Sequence, residues 1–206
     1  FTKVDLPVVP MAMLKLGSSL QSAIIFEKSK GDYFAVTTSL DKVNLASKTI
    51  YLYRNGEKVG SESIKLVAND QIRNFSLWKL KKAVRLDKRY KLVTRQKIYD
   101  GLDKSHSVGF WSSFIENGKS LTEITDGVVQ FFNFKGHNAL PGFNSSLVFI
   151  GAEGGMEGSA VTIKQKNGDY QIAGMISGYS ERFNSKSNLH YFINRGAAIP
   201  FPQLWG

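Results

Sequence analysis

Short runs of alternating hydrophobic and polar residues dominate the chain, and helical spacing is rare. Runs of this kind in the first half are Ser22–Phe26, Tyr33–Thr38, Thr49–Arg54, Lys58–Leu66, Phe75–Leu80 and Tyr90–Val93. Such runs, rich in aromatic and β-branched residues, are typical of half-buried strands. Asn55-Gly56 and the turn over residues 30–32 predict hairpins between neighbouring runs. Apart from the last few residues, only Leu77–Val84 shows a spacing that a helix would also explain.

The second half of the chain repeats this style. Its strand-like runs are Ser107–Phe114, Gly127–Phe134, Ser146–Ile150, Val161–Gln165, Tyr170–Ser177 and His190–Asn194. A turn at Asn167-Gly168 predicts another hairpin. Many short strands at regular spacing predict an all-β sandwich or barrel. A break near residues 95–105 divides the 206 residues into two halves of similar size.

Charge and composition restrict the chemistry. The net charge is +10, which favours anionic partners. Since the chain has no cysteine, a disulfide framework, thiol catalysis and a thiolate metal site are excluded. Its three histidines, His106, His137 and His190, show no metal-ligand spacing. We therefore predict neither a metal nor another cofactor, and no run is long and apolar enough for a transmembrane segment.

The most informative segment lies late in the chain. Gly155-Met156-Glu157-Gly158-Ser159-Ala160-Val161 is followed, after a predicted hairpin, by Gly174-Met175-Ile176-Ser177-Gly178. This arrangement resembles the nucleophile region of trypsin-like serine proteases. Upstream, residues 34–41 resemble the strand that carries the family's histidine, and residues 74–80 resemble the segment that begins at its aspartate. The resemblance covers roughly residues 14–200.

The resemblance implies two packed six-stranded antiparallel β-barrels with a cleft between them, and a short helical or extended C-terminal tail. We expect an extended lead-in over residues 1–13, a first barrel over 14–97 and a second over 98–206. The family's histidine, aspartate and serine positions fall on Leu40, Asn74 and Glu157. Triad chemistry needs an imidazole base beside the nucleophile, and no histidine precedes residue 106. The resemblance therefore implies a pseudo-protease rather than an enzyme.

Three functions remain open from the sequence. The first is a non-catalytic binding or regulatory protein that holds a peptide by strand addition. The residues expected to contribute to it are Gly155, Met156, Ile176, Ser177 and Gly178. The second is an adaptor for an anionic polymer or membrane surface, through a basic patch that is otherwise a solvated face: Lys81, Lys82, Arg85, Lys88 and Arg89. The third is a hydrolase that uses Ser159 or Ser177 with His190.

Two expectations concern the setting of the protein. Relatives of this family are mostly secreted or periplasmic, so the resemblance implies an extracytoplasmic location. Nucleic acid is not expected as a partner, because no recognition-helix, RNP-like or zinc-finger pattern accompanies the charge.

Overall fold

The computed structural model describes residues 7–17, 19–40, 48–71, 75–92, 106–112, 122–129, 132–133, 146–149, 158–179 and 195–200. Within these ranges the regular elements are all strands, so the predicted all-β class is confirmed there. The first seven are β1 (Val9–Leu16), β2 (Ser19–Ser29), β3 (Asp32–Thr37), β4 (Lys48–Arg54), β5 (Glu57–Asp70), β6 (Phe75–Leu80) and β7 (Tyr90–Leu92). The others are β8 (His106–Ser112), β9 (Thr122–Val129), β10 (Phe132–Asn133), β11 (Ser146–Phe149), β12 (Ala160–Lys164), β13 (Tyr170–Tyr179) and β14 (Arg195–Pro200).

The first six strands close into an antiparallel barrel in the order β1-β2-β3-β6-β5-β4. The predicted turn at Asn55-Gly56 joins β4 to β5, and both residues have positive φ (48° and 81°), as a tight hairpin turn requires. Strand β6 includes Leu77–Leu80 and the following residues 81–84 are irregular, so the helical alternative for Leu77–Val84 is wrong. Its hydrophobic spacing arises because Trp78 and Leu80 face the barrel interior while Leu77 packs on the opposite face.

The barrel interior is filled by side chains that alternate along the strands. This barrel core contains Leu14, Ile25, Ile50, Ile64 and Trp78, each at most 1% exposed. Burial of one such large side chain stabilises a fold by about 1.5–3 kcal/mol. The Trp78 indole N–H donates to Ser76 Oγ at 3.0 Å, so the largest core side chain carries no unpaired polar atom.

A second hydrophobic layer lies on the outer face of the same barrel. Cross-strand neighbours Met11, Ile24 and Val36 form a row there and are buried together with Ile172 and Met175 of β13. We call this set the interface layer, since it lies between the barrel and the second sheet. Strand β1 is therefore buried on both faces, which explains why its sequence does not alternate. The barrel begins at Val9, so residues 9–13, assigned from the sequence to the lead-in, belong to its first strand.

The remaining strands form one eight-stranded sheet. Its order is β10-β11-β14-β13-β12-β8-β9, and β7 adds to β13 in parallel. The predicted hairpin at Asn167-Gly168 is present, with Gly168 at φ 90°. The last described strand is β14, later in the chain than the predicted run His190–Asn194, which lies outside the described residues. Residues 1–6 and 201–206 lie outside them as well.

Candidate functional site

The end of β3 meets the segment that leads into β12, and this junction joins the barrel to the second sheet. Strand β3 ends at Thr37. The chain then runs through Thr38 to Leu40, the position that the resemblance assigned to the histidine. From the other side come Gly158 and Ser159, which directly follow the position assigned to the nucleophile. The two segments that the resemblance makes catalytic are thus brought together in this fold.

Gly158 fits the junction because it has no side chain. Its φ is +88°, in the left-handed region that glycine adopts without strain. A Cβ at this position would overlap the backbone carbonyl oxygen of Ser22 and lie 2.6 Å from Thr37 Oγ1. The backbone around residue 158 therefore approaches β2 more closely than any other residue type would allow.

Hydroxyl groups connect the two sides of the junction. Ser159 is 2% exposed, and its Oγ donates to Ser22 Oγ at 3.2 Å. Thr37 Oγ1 donates to the Ser22 carbonyl at 2.5 Å and accepts from Gln21 Nε2 at 3.0 Å. Gln21 Nε2 also contacts Thr38 Oγ1. Buried hydroxyls are costly only when they are unpaired, and these groups pair with one another.

Leu40 occupies the place expected for the imidazole base. Its side chain is half-buried and packs against the barrel core. Asn69 holds its backbone on both sides, since Leu40 N donates to Asn69 Oδ1 and Asn69 Nδ2 donates to Leu40 O, each at 3.0 Å. Gln71 Nε2 donates to the same carbonyl at 3.2 Å. The position is held in place by hydrogen bonds and filled by an aliphatic side chain.

Strand β13 presents a backbone edge beside the junction. Its pairing with β12 ends at Ala160↔Met175, whereas its pairing with β14 continues to Tyr179↔Gly196. Within the described residues, the β12 side of residues 176–179 therefore has no strand partner. The ladder with β14 shifts register between Ile176 and Gly178, which places a bulge at Ser177. Bulges of this kind are frequent next to binding sites because they re-aim the backbone.

The other predicted site residues lie in β13, in β8 or outside the described residues. Ile176, Ser177 and Gly178 lie in β13 at the edge just described. Asn74, Gly155, Met156, Glu157, His137 and His190 lie outside the described residues. His106 begins β8. No group of three or more histidine, aspartate or glutamate side chains suited to a metal ion occurs among the described residues.

All five residues of the predicted basic patch are exposed, and all lie between β6 and β7. Asp87 in the same connection accepts from Arg89 Nη2 at 2.8 Å and from the Arg89 backbone N–H at 3.0 Å. The side-chain hydrogen bond from Arg89 is the main reason that the pKa of Asp87 lies below its ordinary value of 3.8. One cation of the patch is therefore already paired within the chain.

Sequence reasoning did not identify Gln21, Ser22 and Thr37 as part of the junction. One signal was present: Ser22 is the polar first residue of an otherwise apolar run, Ser22–Phe26, and Thr37 follows two apolar residues at the end of β3. A hydroxyl at a buried strand position indicates a hydrogen-bond partner, but not that the partner comes from residue 159.

Comparisons with known proteins support the fold and no closer relationship. No family model matches the chain, and no curated protein matches it by sequence. Among solved structures, the chain is similar to the Rv3671c protease in its inactive form, with a TM-score of 0.60 and 9% sequence identity. The match covers 98% of this chain and 88% of that protein. At this identity the similarity shows that the two proteins share a fold. No helix among the described residues is long and apolar enough to cross a bilayer.

Proposed function

We propose that the protein is a non-catalytic binding protein built on a protease-type fold. The observation that carries this proposal is the environment of Leu40, where an aliphatic side chain packs against the barrel core and the backbone is held by Asn69. Hydrolysis by a triad needs an imidazole there that can take the nucleophile's proton. A leucine cannot accept a proton, and no histidine precedes residue 106 in the chain.

The state of Ser159 supports the same proposal. It is the serine nearest the expected nucleophile position, but its hydroxyl is buried and donates to Ser22 Oγ. An activated nucleophile must instead donate to a base and face the substrate. We propose on this ground that Ser159 stabilises the junction and has no role in attack. This argument also weighs against a hydrolase that pairs Ser159 with His190.

The ligand that we propose is an extended peptide. Among the described residues, the β12 side of residues 176–179 of β13 has no strand partner, so this edge offers backbone donors and acceptors to a strand laid beside it. Main-chain hydrogen bonds then supply affinity, and the pockets around alternate side chains supply selectivity. We propose further that the eight-stranded sheet corresponds to the second barrel of the protease design, and that the protein acts outside the cytoplasm.

Two measurements test this function. The purified protein is exposed to a fluorophosphonate probe and to generic peptide and ester substrates; we expect neither labelling nor turnover. A displayed peptide library is then selected against the wild type and against Gly178→Leu, which places a bulky side chain on the proposed edge. Gly60→Leu is the matched control, since a Cβ at Gly60 meets no atom within 4 Å and lies in β5 of the barrel.

We expect the selected peptides to bind the wild type and Gly60→Leu equally and to lose binding to Gly178→Leu. Covalent labelling of Ser159 or Ser177 would contradict the non-catalytic assignment. Equal peptide binding by all three proteins would contradict strand addition at β13 and leave the non-catalytic assignment standing.

A second candidate function is favoured by the exposure of the basic patch. Lys81, Lys82, Arg85, Lys88 and Arg89 lie within nine residues of one connection, and all are exposed. Such a cluster attracts a polyanion through interactions that weaken steeply with salt. Retention on heparin at rising salt concentration, compared between the wild type and a variant with these five residues changed to Gln, measures this contribution.

A further inference from the structure

A groove on the outer wall of the barrel combines charge with apolar surface. It lies where the second half of β5 runs beside the end of β6, and its cavity has a volume of about 400 Å³. Three lysines line it, Lys65 from β5, Lys79 from β6 and Lys81 just after β6. Leu66 and Val67 line the same groove, and no acidic residue does. Its volume is within the range of small-molecule sites, about 300–1,000 Å³.

Two of these lysines repel each other as long as no anion lies between them. Lys65 and Lys79 are direct cross-strand partners in the β5–β6 ladder, and like charges in that position repel. Lys79 has an aspartate, Asp32, at 3.7 Å on its other side. Among the residues that the structure describes, Lys65 and Lys81 form no ion pair. An anion between these side chains would relieve the repulsion.

The apolar part of the groove is accessible to a ligand. Val67 is 54% exposed, and among the described residues no other large hydrophobic side chain is exposed. It lies at the register shift between Leu66 and Ala68, where the bulge turns its side chain out of the alternation. A ligand that covered Val67 would remove this apolar side chain from water, which is favourable.

We propose that this groove binds an amphiphilic carboxylate, with the head group between the lysines and the aliphatic chain on Val67 and Leu66. Charge complementarity requires an anionic head group, and the compact ammonium groups of the lysines would pair with a carboxylate as point charges. The apolar lining selects the chain. A nucleic acid fits less well, since the lining contains no aromatic ring on which a base could stack. The proposal is independent of the peptide edge on β13.

The test is a titration of the isotope-labelled protein with decanoate below its micelle concentration, followed by NMR. We expect saturable shifts in the amides of Lys65, Lys79 and Lys81 and in the methyl groups of Val67. Decanol supplies the same chain without charge and acetate the charge without a chain, so both should bind more weakly. The variant Lys65→Gln/Lys79→Gln should weaken decanoate binding by about tenfold, as two partly exposed ion pairs imply.

The matched control is Lys15→Gln/Lys166→Gln, which removes the same charge from two exposed positions outside the groove, one on β1 across the barrel and one in the β12–β13 hairpin. It should leave decanoate affinity within about twofold, since distant exposed charges are screened. Equal weakening in both double variants would overturn the proposal, as would decanol binding as tightly as decanoate. Should Lys65→Gln/Lys79→Gln fail to fold, Val67→Ser takes its place, and unchanged decanoate affinity in that variant overturns the proposal too.

Discussion

Replacing Gly158 with alanine should destabilise the protein far more than the size of a methyl group suggests. Two costs combine at this position. The φ of +88° places an L-residue in the left-handed region, at about 1–2 kcal/mol. The added Cβ also overlaps the Ser22 carbonyl oxygen and lies 2.6 Å from Thr37 Oγ1. Overpacking of a filled interior typically costs about 1–3 kcal/mol.

The total expected for Gly158→Ala is therefore about 2–5 kcal/mol, the sum of backbone strain and overpacking. The upper part of that range is favoured because the nearest group is backbone on β2, which cannot rotate away as a side chain would. A loss of this size is a large fraction of the stability of a natural domain, about 5–15 kcal/mol. The free energy of unfolding from urea titrations, followed by circular dichroism, measures it.

Gly168→Ala separates the two costs. Gly168 has nearly the same φ, +90°, but a Cβ there meets nothing within 4 Å. This control should lose only the backbone term, about 1–2 kcal/mol. The difference between the two variants then measures the close approach of residue 158 to the barrel. Equal losses in Gly158→Ala and Gly168→Ala would refute the packing described for the junction.

Two further predictions concern charged groups. Asp87→Asn should lower the free energy of unfolding at neutral pH by about 0.5–1 kcal/mol, a figure reduced for the exposure of Arg89. Because the pKa of Asp87 in the folded protein lies below 3.8, the difference in unfolding free energy between variant and wild type should disappear as the pH falls through that pKa. A difference that stayed unchanged down to pH 2 would contradict the ion pair with Arg89. Lys65→Glu should raise the free energy of unfolding by about 0.5–1 kcal/mol, because it places opposite charges across from each other at Lys65 and Lys79. The same change at exposed Lys15 should not raise the free energy of unfolding. Equal effects at both positions would show that only the net charge of the protein matters.

Several features of the fold were predictable because they depend on local sequence. The hairpin at Asn55-Gly56 follows from two residues that adopt positive φ easily, and the structure gives them that conformation. Strands β2 to β6 each turn one face toward the barrel core. Each is long enough for the resulting alternation of apolar and polar residues to be recognised in the sequence. The closed six-stranded antiparallel barrel was expected from the resemblance, not from periodicity.

Strand β1 shows where local reasoning fails. Its residues Met11, Ala12, Met13 and Leu14 are all buried, because one face lies in the barrel core and the other in the interface layer. A strand covered on both sides does not alternate, and its first residues were assigned from the sequence to an extended lead-in. The sequence carries no local signal that the second sheet covers this strand.

The candidate sites differ in whether their polar groups are already satisfied. At the junction, Ser159 Oγ donates to Ser22 Oγ and Thr37 Oγ1 donates to the Ser22 carbonyl, so the folded chain needs no ligand there. A binding site instead keeps donors, acceptors or charges without partners until the ligand arrives, and it loses some stability in doing so. Among the described residues, the β12 side of β13 beyond Met175 has no strand partner, and Lys65 and Lys81 on the barrel wall form no ion pair. We therefore expect ligand recognition beside the junction and on the barrel wall, while the junction itself holds the barrel and the second sheet together.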